Sequence, residues 1–395
     1  MRRKPPFATL EEAEALARRR LPKVLYERIV DPVTPTQRTL KENTRVFDDV
    51  LFRPNAATYV AERHLATTVL GTEISFPVLL ASPGTNRLWH PDGEKAAAAA
   101  AGRAGTIDIA AMGTGHPIEE VVAAASGPIW QQIYLTRGRA AVEELIERSR
   151  ALAIDALVLT VDVNVSVVPA DSSRPGPGLN WYNARHFGLD AARHPRWLIP
   201  FVKDELGQRR VSEAERRGVM PGAQAAYLRS GEFSNQMAAT WDDFKWIREQ
   251  WDGPIVAKGI LSVDDARRAI DEGVAAIVVS NHGAIGLDML GVDPVTSSLR
   301  VLPRIASAVD GEVEVLFDSG VRTGADAVKA IALGARAVLV GRPYLLGLAA
   351  AGEPGVRQVL EIFRYQIDRV LAGLGCPSIR ALDQSYVEAP SSWWS

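Results

Sequence analysis

Short apolar segments that alternate with helical segments constrain the fold of this chain more than any other feature. Eight such segments recur along its 395 residues, and Ala-, Glu- and Arg-rich sequence typical of helices follows them. This order predicts an α/β protein with a parallel (β/α)8 TIM barrel, with a doubly wound open sheet as the structural alternative. The predicted strands cover residues 77–81, 105–110, 128–134, 156–162, 254–258, 275–280, 314–318 and 337–341.

Two regions lie outside this repeat. Residues 10–30 predict helix, so we expect an N-terminal helical cap (1–75), a barrel (76–375) and a C-terminal tail (376–395). From about 163 to 239, after the fourth strand, the repeat stops. A loop of this length is either a lid over the catalytic face or a disordered segment. A lid is favoured because linkers lack such aromatic anchors as Trp181, Tyr182, Trp197 and Phe201.

Composition limits which binding partners and which cellular compartment we expect for this protein. The formal net charge of -2 favours neither nucleic acid nor an anionic membrane as a partner, and no apolar run is long enough to span a membrane. The single cysteine, Cys376, excludes an intrachain disulfide and a cysteine-based metal cluster. We expect a cytoplasmic protein without a metal.

The sixth apolar segment runs directly into Ser280-Asn281-His282-Gly283. Residues at this position lie at the C-terminal end of a barrel strand, where α/β barrels carry their chemistry. His282 is therefore the first candidate for a catalytic base, and a structural histidine is the alternative.

Two segments near the C-terminus predict an anion site. Asp318-Ser319-Gly320-Val321-Arg322 follows the seventh strand, and Gly341-Arg342 follows the eighth. Glycines let backbone N–H groups approach an anion, helix N-termini add positive potential, and each segment supplies one guanidinium. TIM barrels bind phosphate at these loops, so a phosphorylated ligand is expected. The alternative is two helix starts with solvated arginines.

Motifs along nearly the whole chain resemble those of the FMN-dependent 2-hydroxy acid oxidases and dehydrogenases. The resemblance implies an FMN-binding TIM barrel, a small-molecule substrate and a homo-oligomer, typically a tetramer. It is carried by residues 21–23, 68–71, 90–94, 159–162, 258–260, 280–283, 318–322 and 341–343.

The resemblance also implies roles for individual residues. His282 corresponds to the base and Asp162 to the carboxylate that orients it. Tyr134 corresponds to a tyrosine that bonds a substrate oxygen, although an aromatic filling the barrel is equally consistent. Lys258 corresponds to the cation beside flavin N1, with a surface lysine as the alternative. The residues implied to contact the cofactor are Pro83, Gly84 and Thr85 near N5, Gln132, Thr160 and Ser280 at the ring edge, and Asp318, Gly320, Arg322, Gly341 and Arg342 toward the phosphate.

Several positions depart from the pattern of that family. Ile285 and Pro169 stand where two arginines would hold a substrate carboxylate, and Gly113 stands where a bulky residue is expected. Arg28 replaces a tyrosine and either contacts an anion from a new direction or lies on the helix surface. His116, on the same loop as Gly113, is a second pocket histidine and an alternative base. These departures predict a bulky substrate without the usual 2-hydroxy carboxylate.

Within the family, residues 194–198, 237–243 and 251–254 resemble the pre-mycofactocin synthase branch, whose substrate is peptide-derived. The resemblance implies an FMN-dependent oxidase or dehydrogenase for a CH–OH or CH–NH group in a biosynthetic or tailoring pathway, with His-assisted hydride transfer to flavin N5. A conventional 2-hydroxy acid oxidase anchored by Arg28 and a non-redox FMN-dependent isomerase are the alternatives.

Overall fold

The computed structural model describes residues 4–30, 37–135, 138–163, 181–208, 238–284 and 295–394. Eight parallel strands, β4 to β11, close into a barrel in the order β10-β11-β4-β5-β6-β7-β8-β9, so the predicted TIM barrel is confirmed. The strands are β1 (Leu51–Phe52), β2 (Thr67–Val69), β3 (Thr72–Ile74), β4 (Val78–Leu80), β5 (Asp108–Ala110), β6 (Ile129–Ile133), β7 (Ala156–Thr160), β8 (Ile255–Ile260), β9 (Ala276–Val279), β10 (Glu314–Phe317), β11 (Ala337–Val340) and β12 (Val387–Glu388).

Helices surround the barrel and cover its N-terminal region. Numbered over the described residues, they are α1 (Leu10–Arg20), α2 (Lys23–Val30), α3 (Arg38–Arg45), α4 (Gly93–Ala104), α5 (Ile118–Ala124), α6 (Arg139–Ala151), α7 (Trp181–Ala192), α8 (Pro195–Gln208), α9 (Trp241–Arg248), α10 (Val263–Asp271), α11 (Ser298–Val309), α12 (Gly324–Ala332), α13 (Arg342–Ala351) and α14 (Glu353–Leu374).

Side chains point alternately to the two faces of each barrel strand, so the core has two layers. In β4, Leu79 points into the barrel interior, where it joins Trp130 of β6, whereas Val78 and Leu80 pack between strands and helices. Both faces of each strand are therefore buried, which is why the strands read as continuous apolar runs.

A hairpin closes the N-terminal end of the barrel. Strands β2 and β3 pair antiparallel around Leu70 and Gly71, both of which have positive φ. Val69 and Ile74 belong to the interior core, and the Leu70 N–H donates to the Glu314 carboxylate at the start of β10 (3.0 Å). With this end closed, only the C-terminal ends of the strands can line an open site.

Most strand boundaries differ from the sequence prediction by one or two residues. The helical region predicted over 10–30 consists of two helices that are separated between Arg20 and Lys23, because Pro22 lacks the N–H that a continuous helix needs. The strand predicted to start at Gly105 starts at Asp108, since Gly105 adopts φ 69° and caps α4.

The described part of the insertion after β7 is helical, where the sequence predicted a loop. In α8, Trp197 and Phe201 are four residues apart, stack at 4.6 Å between ring centroids and pack against the barrel core. The Trp197 indole N–H donates to the Leu88 carbonyl (2.8 Å). An aromatic pair at helical spacing thus joins α8 to the barrel. The side chains of Trp181 and Tyr182 lie outside the described part.

Candidate active site

The C-terminal ends of the barrel strands surround a cavity of about 350 Å³. Segments that follow β4, β5, β6, β9, β10 and β11 contribute to its walls, together with Lys258 of β8. Among the described residues, the lining consists of Arg28, Ile29, Ala81, Ser82, Pro83, Gly84, Thr85, Trp89, Ala111, Met112, Gly113, Tyr134, Lys258, His282, Gly283, Asp318, Ser319, Gly320, Val321, Arg322, Leu339, Gly341, Arg342, Pro343 and Leu345.

Three of the predicted residues form one hydrogen-bonded chain. His282 Nδ1 lies 2.9 Å from Asp162 Oδ1, and His282 Nε2 lies 3.2 Å from the Tyr134 hydroxyl. An ionised carboxylate can only accept, so Nδ1 carries the proton toward Asp162. The Nε2 lone pair of a neutral His282 is therefore presented on the side of Tyr134, which is the arrangement a general base requires.

The backbone around His282 is held by serine hydroxyls. His282 has φ 57°, in the left-handed region that a residue with a Cβ rarely adopts. Its N–H donates to Ser280 Oγ (3.0 Å), and the Gly283 N–H donates to Ser319 Oγ (2.9 Å). These bonds offset the backbone strain and fix the position of the imidazole.

Lys258 is a buried cation beside two carboxylates. Its Nζ lies 3.1 Å from Asp318 Oδ2 and donates to Ser280 Oγ (3.0 Å). Burial by itself would lower the pKa of Lys258, but the charges of Asp318 and Asp162 outweigh it and raise that pKa above its ordinary value. Lys258 is therefore protonated at neutral pH.

Asp162 is ionised for a related reason. Burial opposes its charge, but His282 and Lys258 together hold the pKa of Asp162 below its ordinary value. Its second oxygen, Oδ2, is buried and has no hydrogen-bond partner within the described part of the chain. The carboxylate thus keeps a full charge available to stabilise a protonated His282.

The two predicted arginines differ in their partners. Arg342 donates from Nε to the Ile29 carbonyl (3.0 Å) and from Nη2 to the Gly283 carbonyl (2.9 Å). The Arg322 guanidinium makes no hydrogen bond to any described residue, and burial lowers the pKa of Arg322. A buried guanidinium without an acceptor favours an anionic ligand at this end of the cavity.

Two glycines, Gly320 and Gly341, line the same end of the cavity. Gly320 has φ 100°, and a Cβ there would lie 1.9 Å from the Asn43 carbonyl oxygen, so only glycine is compatible with this turn. The cavity thus has two arginines, Arg322 and Arg342, at the end suited to an anion, and the buried Lys258 also lines it. This donor set fits a phosphate-bearing, electron-accepting ring such as FMN, with Arg322 and Arg342 toward the phosphate and Lys258 toward the ring.

The remaining cofactor candidates fall into two groups. Pro83, Gly84 and Thr85 line the cavity. Gln132 and Thr160 are buried behind it and bond each other (Nε2 to Oγ1, 3.0 Å), and Gln132 Oε1 accepts from the Met112 N–H. Ser280, also outside the lining, bridges Lys258 and His282.

Of the residues predicted to contact the substrate, some line the cavity and some do not. Gly113 and Arg28 line the cavity, and a Cβ at Gly113 would meet nothing within 4 Å. Contrary to the prediction, His116 does not line the cavity: it is buried with its Nδ1 3.0 Å from Glu94 Oε2. Its orientation is set by this carboxylate on α4. Ile285 and Pro169 lie outside the described residues.

Sequence reasoning missed several residues of the site. Asn43 on α3 pairs with Asn281, the residue before His282, and Ser319 holds the N–H of Gly283. Trp89 and Leu345 line the cavity. Ser319 lies within a segment already singled out, so its polarity was a usable signal. Nothing in the local sequence around Asn43 indicates its contact with Asn281.

The fold and the site together define an FMN-dependent TIM-barrel oxidoreductase. The family model for FMN-dependent dehydrogenases matches residues 17–389. The chain belongs to this family.

Named relatives support the assignment over nearly the full length. The chain is 40% identical over 391 residues to pre-mycofactocin synthase of Mycobacterium tuberculosis, which covers 98% of this chain and 96% of that protein. It is 35% identical over 381 residues to glycolate oxidase 5 of Oryza sativa subsp. japonica, covering 96% and 95%.

Solved structures show the same fold. The crystal structure of the monotopic membrane protein (S)-mandelate dehydrogenase aligns with a TM-score of 0.84 and 31% identity, covering 97% of this chain and 100% of that one. Among the described residues, no helix has the length and apolar character needed to span a bilayer.

Proposed function

We propose that the protein oxidises a CH–OH or CH–NH group of a bulky substrate that lacks the usual 2-hydroxy carboxylate, in a biosynthetic or tailoring pathway. The observation that carries the proposal is the chain of hydrogen bonds from Tyr134 through His282 to Asp162 at the edge of a cavity left open at Gly113. Bound FMN supplies the hydride acceptor at N5.

His282 takes the hydroxyl or amine proton of the substrate at Nε2. Asp162 stabilises the imidazolium that forms, and Lys258 would stabilise negative charge on a bound flavin. Tyr134 can bond the same substrate oxygen or nitrogen because its hydroxyl lies 3.2 Å from His282 Nε2. These residues therefore handle the proton while the hydride leaves the neighbouring carbon.

We infer the charge of the substrate from the sequence at two positions and its size from the cavity at Gly113. Neither Ile285 nor Pro169 can hold a carboxylate, because neither side chain has a hydrogen-bond donor or a charge. The open space at Gly113 favours a large substituent beside the reacting carbon. The 40% identity to pre-mycofactocin synthase supports a peptide-derived substrate class.

A second candidate function depends on Arg28. It lines the cavity, and its guanidinium could anchor a carboxylate as in a conventional 2-hydroxy acid oxidase. In that case Arg28→Met would abolish flavin reduction by lactate, glycolate or mandelate, while reduction by bulky amides would be unaffected.

The test is anaerobic bleaching of the flavin by a panel of substrates. We expect simple 2-hydroxy acids to reduce the flavin at least ~100-fold less efficiently than bulky alcohols, amines or lactams, equivalent to about 2.7 kcal/mol at the transition state. Gly113→Phe should lower reduction by bulky substrates, whereas Gly373→Phe, at an exposed open position on α14, should not. Rapid reduction by lactate in the parental enzyme would overturn the proposal.

A further inference from the structure

Five buried polar residues behind the cavity wall have no role in the proton and hydride transfer. They are Asn86, Glu94, Asp108, His116 and Tyr344, here called the Glu94 cluster, and each is less than 5% exposed. Buried carboxylates and imidazoles are costly unless they are paired, so such a cluster needs a structural or functional reason.

Glu94 joins the two loops that follow β4 and β5. Its Oε1 accepts from the N–H groups of Asn86 (3.0 Å) and Gly115 (2.9 Å). Its Oε2 lies 3.0 Å from His116 Nδ1. One side chain of α4 thus holds the backbone of both loops, and His116 is the donor on its second oxygen.

The same two loops form one wall of the cavity. The first contributes residues 82–85 and the second residues 111–113. They touch directly, since the Thr85 N–H donates to the Gly113 carbonyl (3.1 Å), and a Cβ at Gly84 would lie 3.2 Å from that oxygen. A shift of either loop would therefore change the cavity.

Thr85 is the strained point of this wall. It has φ 70°, a conformation that is costly for a β-branched residue. The hydrogen bonds that hold it run from its own N–H to Gly113 and from the next N–H, that of Asn86, to Glu94. These hydrogen bonds thus hold the backbone of Thr85 in an unfavourable left-handed conformation.

Other members complete the cluster. The Asn86 amide donates to the Tyr344 hydroxyl (3.2 Å), which donates to the carbonyl of Ala81 at the end of β4 (3.2 Å). Burial and then the nearby charge of Glu94 raise the pKa of Asp108 to about 8, so Asp108 is neutral at pH 7. Asp108 therefore adds no charge at pH 7 beside the hydrogen-bonded pair of Glu94 and His116.

We propose that His116 is a positioning residue for the cofactor: with Glu94 it fixes the two loops whose backbones form one wall of the flavin cavity, and it holds Thr85 in its left-handed conformation. His116 acts through Glu94 and the loops and does not touch the ligand. The inference rests on FMN binding by the family and is independent of the substrate.

The test measures FMN affinity and the visible flavin spectrum in reconstituted protein, without any substrate. His116→Leu removes the donor to Glu94, and we expect it to weaken FMN binding at least about tenfold and to shift the flavin absorption bands. His116→Asn places an amide N–H where the imidazole Nδ1–H lies and should restore the affinity to within about threefold of the parental value.

His90 offers a matched control. It is a mostly buried histidine, 13% exposed, that lies beside α4 and whose Nδ1 accepts from the Asp92 N–H rather than joining the two loops. His90→Leu should leave the FMN affinity and spectrum unchanged. If His116→Leu does not fold, His116→Ala removes the same donor to Glu94 without the bulk of leucine and should show the same loss.

Parental FMN affinity and spectrum in His116→Leu or His116→Ala would overturn the proposal. Equal losses in His116→Asn and His116→Leu would do so too, because they would show that shape and not the hydrogen bond matters. Failure of the proposed oxidation leaves these readouts untouched, since no substrate is present.

Discussion

The side-chain amides of Asn43 and Asn281 exchange two hydrogen bonds, of 2.8 and 2.7 Å, between residues 238 positions apart in the chain. Both residues are buried. Helix α3 is thereby joined to the residue that precedes His282, so a part of the chain outside the barrel helps to position the base.

Asn43→Ala should destabilise the protein by about 1 to 3 kcal/mol, because it removes the donor to the buried Asn281 Oδ1 and leaves Asn281 Nδ2 with only the Thr296 carbonyl among the described residues. Urea unfolding followed by tryptophan fluorescence gives the free energy. Thr44→Ala is the control, since the Thr44 hydroxyl donates to the Lys41 carbonyl within its own helix and to no other described residue. Equal effects of the two changes would contradict a special role for the amide pair.

His282→Ala should retain FMN, because the candidate phosphate and ring contacts lie on other residues. We expect stopped-flow flavin reduction to fall about 10² to 10⁴-fold as general-base catalysis is lost. Tyr134→Phe removes only the hydroxyl 3.2 Å from His282 Nε2 and should cost less. Reduction at the parental rate in His282→Ala would place the base elsewhere.

Asp162→Asn should slow flavin reduction with little change in FMN affinity, since a neutral amide cannot stabilise the imidazolium. The pKa of Asp162 is held below its ordinary value, so its charge favours folding above about pH 4 and loses that effect as the pH falls further. Thermal unfolding between pH 3 and 7 should therefore depend less on pH in the variant. An unchanged pH profile would argue against the paired carboxylate.

Arg322→Ala and Arg342→Ala should separate ligand binding from stability. Each should weaken FMN binding by about 2 to 4 kcal/mol if its guanidinium contacts the buried phosphate. Arg342→Ala should also destabilise the apoprotein, because Arg342 bonds two backbone carbonyls. Arg322→Ala should not, since the Arg322 guanidinium makes no hydrogen bond to a described residue. Fluorescence titration with FMN and thermal unfolding of both apoproteins measure the difference.

Asp108→Asn should change how stability depends on pH. Because the pKa of Asp108 is raised to about 8, the favourable contribution of its neutral form is complete near pH 4 and declines as the pH rises to about 8. Asparagine stays neutral, so between pH 4 and pH 8 the variant should gain several kcal/mol of stability relative to the parental protein, with little further change above pH 8. Parallel curves of melting temperature against pH would show that Asp108 is already ionised at neutral pH.

Local sequence patterns predicted the barrel and most of its functional face. Apolar runs of strand length are visible because both faces of β7 or β9 are buried, and Asp162 and His282 follow these strands within three residues. Parallel strands in a closed barrel bring their C-terminal ends to one face, so the order of elements alone implies that these residues converge.

Only the tertiary structure decided which side chains meet. In the structure, His116 contacts Glu94 and does not line the cavity. Arg342 donates to two backbone carbonyls, and Asn43 pairs with Asn281. Periodicity reports which face of a strand or helix is buried, but it carries no information on rotamers or on contacts between elements far apart in the chain. Those choices depend on how the packed helices and loops satisfy each buried polar group, which is a property of the whole fold.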